Sequence, residues 1–375
     1  MLLYIHVPFC RKKCAYCAFA SQEYISEPAE IYLQALEHEI KVRSREIEDK
    51  SITSLYLGGG TPTILPLSAL SRILECVYRH LEPVSGCEFT IEANPEDIQD
   101  PTYLNVLKSM GINRVSLGVQ CLDDELLFFL GRRHSAGQAL QAAEMIREAG
   151  FFNLSLDFIW GLPGQTLKGW METLRRGLQV GPQHVSCYGL SLEPGTRLME
   201  MAEYQDLYFP GEKEMAKMYM YGGEYLESEG FLQYEISNFA RMGYCCQHNL
   251  GYWSGNSFLG LGPSAVSTVN GIRWQNPPGV KDYQSQGDRV IQDLDREVLS
   301  PDQKINEFVM LSLRTTKGLS LKEYRRLTGK NFCRKYHRVI QTLHKNALIR
   351  IANGYLRLTK NGMLVSDSIM DLFME

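Results

Sequence analysis

Six short runs rich in β-branched and aromatic residues recur through the first half of the chain: LLYIHV (2–7), SLYLGG (54–59), EFTIEA (88–93), RVSLGV (114–119), LSLDFIW (154–160) and HVSCYGL (184–190). Between them lie segments with the apolar spacing of helices. The first is expected to begin at Ser26 as its cap, with Pro28 in the first turn and Tyr32, Ala35, Leu36 and Ile40 on one face. Others are expected over 67–81, 102–110, 136–149 and 167–178, with Gly111 and Gly150 closing two of them. Strands that alternate with helices form a parallel sheet covered by helices. Six units are too few to close a standard eight-stranded barrel, so the expected fold is α/β, an open, partial (β/α)6 barrel over residues 1–200. Residues 201–295 read as an extension of it, and 296–375 as a separate C-terminal domain.

Barrels of this kind place their sites at the C-terminal ends of the strands. A polar or glycine-rich motif stands at each such end: FCRKKCAYC (9–17), GGGTPT (58–63), EANPED (92–97), GVQ (118–120), DFIWGLPGQT (157–166) and SLEPGT (191–196). All six would converge on one rim. The first carries Cys10, Cys14 and Cys17 in a C-x3-C-x2-C spacing with no fourth cysteine nearby. A structural zinc site closes its shell with four protein ligands. Three thiolates suit a 4Fe-4S cluster with its fourth iron free for a small molecule. A zinc site with a distant fourth ligand, or a chance grouping, is the bland alternative. Gly58, Gly59 and Gly60 let the backbone approach a ligand closely, although GGG by itself marks only a tight turn.

C-x3-C-x2-C with Tyr16 before its third cysteine, followed by GGGTP, resembles the radical S-adenosylmethionine (SAM) superfamily. The resemblance implies that the amino and carboxylate groups of SAM chelate the free iron, and that an electron from the cluster then cleaves its C–S bond. YIHVPFC, YLGGGTPT, EANPED, GINRVSLGVQ, LGRRH, LDFIWGLPGQT and YEISNFAR extend the resemblance over nearly the whole chain, to the oxygen-independent coproporphyrinogen III oxidase family. That family binds two SAM molecules. Motif by motif, the resemblance assigns Tyr4, Gly59 and Glu92 to the cluster-bound SAM, and Tyr16, Gly60, Thr61, Gln120, Arg132 and Asp157 to the second; Ser191 and Val266 join the cofactor-binding set. The chemistry agrees: Glu92 and Asp157 can accept from ribose hydroxyls or an ammonium group, and Arg132 can fork onto a carboxylate. The bland readings are a solvated helix end for Arg132 with Arg133 and a strand-end cap for Asp157.

Within this family the oxidase has a further cysteine two residues beyond the third, where this chain has Phe19. It also has an N-terminal extension, whereas this chain starts at the first strand. HNLGYW (248–253) and the pattern CxYCxF instead match the haem chaperone branch, which usually has Asp after the third cysteine where this chain has Ala18. The implied function is a haem chaperone that holds a SAM-liganded 4Fe-4S cluster and hands haem to acceptor proteins, without oxidase activity. Oxidative decarboxylation of coproporphyrinogen III is the rival, and radical-driven haem ring opening a third reading. His248 offers an imidazole to haem iron, with Tyr252 and Trp253 stacking on the porphyrin. Equally, His248 and Asn249 can organise a polar turn while the two rings pack in the core. His6 reads as structural.

The net charge of −4 is uneven. Residues 301–375 hold 14 Lys and Arg against 6 Asp and Glu, and the rest of the chain 25 against 37. This basic segment reads as helices, then a hairpin with an Asn353-Gly354 turn, then a helix, in the order of a winged helix. Its charge suits nucleic acid, but equally porphyrin propionates or a membrane-associated haem acceptor, and the reading here is against nucleic acid. In the resembling family this domain covers the barrel mouth, and a flavodoxin or ferredoxin is the implied electron donor. No apolar run approaches the roughly 18 residues of a membrane helix, and MLLYIHVPFC lacks the basic start of a signal peptide. The expectation is a cytoplasmic protein, with the seven other cysteines as thiols, most of them small buried hydrophobes.

Overall fold

The computed structural model describes residues 1–286 and 295–374. The end of the expected extension, 287–294, and residue 375 lie outside the described residues. Six parallel strands stand side by side in chain order: β1 (Leu2–Val7), β2 (Ser51–Gly59), β3 (Glu82–Ala93), β4 (Arg114–Gln120), β5 (Asn153–Trp160) and β6 (His184–Gly189). All six expected runs are therefore strands of the partial barrel, and β2 and β3 start earlier than the apolar runs alone indicate. The sheet does not close. Beyond β1 it continues through Phe258–Leu261, parallel to β1, and three antiparallel strands; beyond β6 it ends in the short strands Asn238–Ala240 and Leu232–Gln233.

Strand parity divides the barrel into two faces. One face carries Leu55 and Leu57, Phe89 and Ile91, Val115 and Leu117, Leu154 and Leu156, and Val185, all buried in the main apolar core. Helices α1 (Ser26–Glu46), α2 (Leu67–His80), α3 (Pro101–Ser109), α4 (Asp124–Phe129), α5 (Ala136–Glu148) and α6 (Leu167–Gln179) fill the crossovers. The helices present matching stripes, such as Ala69, Leu70, Ile73, Leu74 and Val77 on α2. Each fully buried Leu or Ile contributes roughly 1.5–3 kcal/mol. The other face is polar and faces the barrel interior: Ser54 and Tyr56, Thr90 and Glu92, Arg114 and Ser116, Ser155 and Asp157, His184 and Ser186.

Two local expectations change. Ser26 does not cap α1: Ile25, in extended conformation, is the cap residue and gives no side-chain hydrogen bond, so Ser26 enters the first turn. Helix α4, capped by Asp123, was not expected, because six residues are too short to show a helical period. Gly111 and Gly150 do adopt the positive φ that closes helices, at 97° and 82°. Tight packing of the helices on the sheet shows at Gly177 of α6, where an added Cβ would come within 2.6 Å of the buried Phe158 ring. Gly177→Ala is expected to lose about 1–2 kcal/mol, because overpacking outweighs the better helix propensity of alanine. A urea midpoint unchanged or raised would contradict this packing.

Two further helices, α7 (Arg197–Tyr204) and α8 (Glu212–Ser228), follow β6. The sequence HNLGYW then forms most of helix α9 (Gln247–Trp253). This helix packs at the N-terminal ends of the strands: its Gly251 abuts Leu2, and His248 meets Ser54 and Glu88. It therefore plugs the end of the barrel opposite the rim. The extension is clasped to α1 through buried Glu39, which accepts from Tyr283 Oη at 2.6 Å, Asn276 Nδ2 at 2.8 Å and the Gly262 N–H at 2.9 Å.

The basic C-terminal segment has its own core around Leu313, Tyr324, Phe332, Leu356 and Phe373. Its hairpin turns at Asn353 and Gly354, both at positive φ. It joins the rest through the bridge Glu235–Thr315, the ion pair Arg273–Glu307 and contact of α9 with the helix Pro301–Leu313. The domain thus meets the plugged end of the barrel and does not cover the mouth. No described helix is long and apolar enough to cross a membrane.

Candidate functional site

The rim holds a cavity of about 590 Å³, lined by residues between 10 and 193. Of the fifteen residues singled out from the sequence, twelve line it: Cys10, Cys14, Cys17, Tyr16, Gly59, Gly60, Thr61, Glu92, Gln120, Arg132, Asp157 and Ser191. Six separate strand ends bring them together, as the barrel rule requires.

The cysteine loop is held from several sides before any ligand arrives. Thr61 and Gly60 donate backbone N–H groups to the carbonyls of Phe9 and Val7, Ala15 N–H to Leu130, and Leu198 N–H to Ala15. Arg11 pairs with the nearly buried Asp97 at 2.7 Å. His6 Nε2 donates to the Ala20 carbonyl at 2.7 Å, which leaves Nδ1 to accept from Tyr4 Oη at 3.0 Å. Burial lowers the His6 pKa, so the neutral ring that this bonding needs is favoured. His6 is thus structural, and Tyr4 stands behind it without lining the cavity. Two glycines are required by this close packing: Gly59, at φ 107°, would push a Cβ within 2.5 Å of the His6 ring, and Gly60 within 2.4 Å of the Phe9 carbonyl.

The three thiols line the cavity, half-buried, and none of them is in a disulfide. Burial pushes Cys10 and Cys17 up, and a Thr61 hydroxyl 3.6 Å from Cys10 Sγ pulls Cys10 back. Arg132 Nη1 donates to Cys14 Sγ at 3.5 Å, while its Nη2 donates to Asn94 Oδ1 and the Gly118 carbonyl. Its buried Nε has no partner among the described residues. Among those residues no three His, Cys, Asp or Glu side chains gather tightly enough for a single metal ion. A polynuclear cluster spans more space than one ion. Three thiols on one loop, with a guanidinium and a hydroxyl donating to them, fit a soft cluster with one open iron.

Opposite the thiols, Glu92 accepts from Tyr56 Oη at 2.8 Å and from the Gly59 N–H at 3.0 Å. Burial, aided by the charge of Asp157, raises its pKa to about 7. Asp157 accepts from Ser116 Oγ at 2.7 Å and Ser155 Oγ at 2.9 Å. With its proton committed to Asp157, Ser155 must accept from His184 Nδ1 at 2.8 Å, and His184 Nε2 then accepts from Tyr234 Oη at 2.8 Å. Burial holds His184 well below its ordinary value, in the neutral form this row needs. A chain of donors therefore runs the length of the barrel, from Tyr234 at the plugged end to Asp157 at the rim.

Three singled-out residues lie elsewhere. Tyr4 is described above. Val266 stands in the antiparallel extension, paired with Gln275. His248 is 1% exposed and lines neither cavity of the chain described here. Its Nδ1 bonds Ser54 Oγ at 2.8 Å, and its ring packs among Tyr4, Tyr56 and Tyr252. Burial, with Arg114 nearby, lowers its pKa to about 3. Sequence reasoning missed Tyr56, Asn94, Ser116 and Tyr188, which also line the rim. Tyr56, Ser116 and Tyr188 share one strand parity with the interior polar residues, and that alternation was the available signal.

Comparison with known proteins identifies the family and the fold. The Radical SAM superfamily model matches residues 4–177, and the HemN C-terminal domain model residues 299–365. The heme chaperone HemW of Bacillus subtilis (strain 168) is 35% identical over 373 residues, 99% of this chain and 98% of that protein. That of Lactococcus lactis subsp. lactis (strain IL1403) is 32% identical, over 99% of this chain and 96% of its own. The solved structure of coproporphyrinogen III oxidase (HemN) from Escherichia coli, described as a radical SAM enzyme, superposes with a TM-score of 0.86 at 25% identity, covering 100% of this chain and 89% of that one. By its cysteine loop, its open six-stranded barrel and relatives alike over their full length, the chain belongs to the heme chaperone HemW family of the radical SAM superfamily.

Proposed function

We propose that this chain binds haem, carries a SAM-liganded 4Fe-4S cluster and passes the haem to acceptor proteins. The observation that carries the cofactor reading is the rim cavity, where three free thiols share one space with Glu92, Asp157 and Arg132. Haem comes to the reading from the relatives named heme chaperones. Cys10, Cys14 and Cys17 would hold the cluster; bound there with SAM, it supplies one electron for cleavage of a sulfonium C–S bond. Glu92 and the Gly59 backbone accept and donate beside it, and Tyr4 acts on this site through His6. Gly60, Thr61, Gln120, Arg132, Asp157, Ser191 and Tyr16 line the space for a second adenosyl ligand. In this reading the haem acceptor and the electron donor, such as a flavodoxin or ferredoxin, are separate proteins, and the setting is cytoplasmic.

The likeness to the oxidase structure keeps decarboxylation of coproporphyrinogen III as the second reading. Against it stands Phe19, 65% exposed at the rim, which puts an apolar ring where the oxidase pattern has a thiol. The deciding experiment is anaerobic reconstitution, followed by haem titration and an assay with coproporphyrinogen III. About one haem per chain and no protoporphyrinogen is the expected result. Repeated turnover without haem binding would install the oxidase reading.

Asp157 separates a ligand role from a structural one. Asp157→Asn keeps an acceptor for a serine hydroxyl but removes the charge, so SAM affinity should fall roughly tenfold or more, since a charge-assisted contact is worth roughly 1.5–3 kcal/mol. The urea midpoint should move little. A large stability loss at unchanged SAM affinity would return Asp157 to a structural role.

A further inference from the structure

A second cavity, of about 720 Å³, opens at the plugged end of the barrel, between α9 and the basic C-terminal domain. Its volume lies within the roughly 300–1,000 Å³ of cofactor-sized sites. Its walls include the apolar faces of Leu250, Trp253, Leu299, Phe308 and Leu311. The Trp253 ring lines this cavity, while its indole nitrogen is buried away from the open space.

The charges are not balanced. Of the two carboxylates that line the cavity, Glu307 is paired with Arg273 and Glu323 with Arg326, both at 2.5 Å. Lys304 and Lys317 also line it, and neither has a carboxylate partner among the described residues. Arg314, which stacks 5.3 Å above the Trp253 ring, is paired with Asp367 at 3.3 Å and does not line the cavity, so among the described residues the two lysines are its unpaired cations. The ligand that complements these groups has an apolar body and carboxylates at its edge. Tyr234, the donor end of the row that reaches Asp157, also stands on the wall.

We infer that this interdomain cavity is where the chain holds haem, with the ring against Trp253 and Phe308 and the propionates toward Lys304 and Lys317. The inference rests on the haem reading of function given above, and it locates that ligand at the opposite end of the barrel from the cysteine loop. It also divides the HNLGYW helix between two tasks: His248 faces the barrel interior and seals it, while Trp253 faces the ligand.

The test titrates the full-length chain with haem and with haem dimethyl ester, which has both carboxylates masked. The variants are Lys304→Glu/Lys317→Glu, Trp253→Phe, and Lys322→Glu/Lys330→Glu, two exposed lysines of the same domain that do not line the cavity. The cavity charge reversal should weaken haem roughly tenfold or more and leave the dimethyl ester nearly unaffected. Trp253→Phe, which replaces the indole by a smaller stacking surface, should weaken haem severalfold. The control reversal should bind as wild type. Equal weakening by both reversals would mean general electrostatic attraction and overturn the site. Unchanged binding in both cavity variants, with wild type binding normally, would overturn the site and leave the functional reading standing. No haem binding by the wild type would overturn both.

Discussion

Cys14→Ala/Cys17→Ala, reconstituted anaerobically, is expected to lose the whole of its bound iron, against about four irons per chain for the wild type. One remaining thiol cannot hold a cluster that already leaves one iron without a protein ligand. Substitution from the surroundings is not available, since Cys121, Cys187 and Cys246 are buried and belong to other parts of the barrel. The loop should nevertheless keep its fold, because its anchors are backbone bonds to Thr61, Gly60 and Leu130, the His6–Ala20 bond and the Arg11–Asp97 pair, none of which uses the lost sulfurs. Iron and sulfide analysis with the visible spectrum checks the loss, and an unchanged urea midpoint of the iron-free proteins checks the fold. Full retention of iron by the double variant would overturn the assignment of the cluster to this loop.

The second large effect is a stability that falls as pH rises, traceable to Glu92. Its folded pKa is about 7, raised first by burial and opposed by the Tyr56 hydrogen bond, against an ordinary value of 4.5. Below pH 4.5 the carboxyl is protonated in both states, and the fold keeps its full contribution. Between 4.5 and 7 the unfolded chain ionises while the buried group resists, so stability is lost as pH rises and levels off above about 7. The interval corresponds to about 3 kcal/mol. Glu92→Gln removes this dependence but loses one of the two hydrogen bonds from Tyr56 and Gly59, worth about 1 kcal/mol. The iron-free variant should therefore be roughly 1–3 kcal/mol more stable than wild type at pH 8, with the difference gone or reversed below pH 4.5. The same substitution should weaken SAM binding, so that stability gained and function lost go together, as at a site that holds strain for its ligand. A difference independent of pH, measured by urea unfolding from pH 4.5 to 8, would remove Glu92 as its source.

What could be read from the sequence was the part encoded at short range. Strand runs with Leu55 and Leu57 or Val115 and Leu117 on one parity specify a buried face under helices, and the motifs that follow them specify a rim. The cysteine loop, GGGTP and the EANPED motif were legible because each lies at a strand end whose direction the alternation of strands and helices already fixes, and the resemblance then singled out Glu92. Tyr56 and Ser116 were overlooked, although they occupy the same parity as Glu92 and Asp157.

The sequence alone, then, determined the barrel and its rim, because strand parity and crossover direction follow from neighbours a few positions apart. The SAM-ligand residues of the rim were named from the family resemblance, and Tyr56, Asn94, Ser116 and Tyr188 were not named. Only the tertiary structure decided which end of the barrel the later chain occupies. His248 meets Ser54 and Glu88 across separations of 194 and 160 residues, and no local period reports such a contact. The same holds for Tyr234 and His184, and for the Trp253 wall that the C-terminal domain turns into a cavity. A helix such as Gln247–Trp253 carries two usable faces, and which one meets the barrel depends on packing that distant segments supply together. That packing seals the histidine inside and leaves the tryptophan on a wall between two domains.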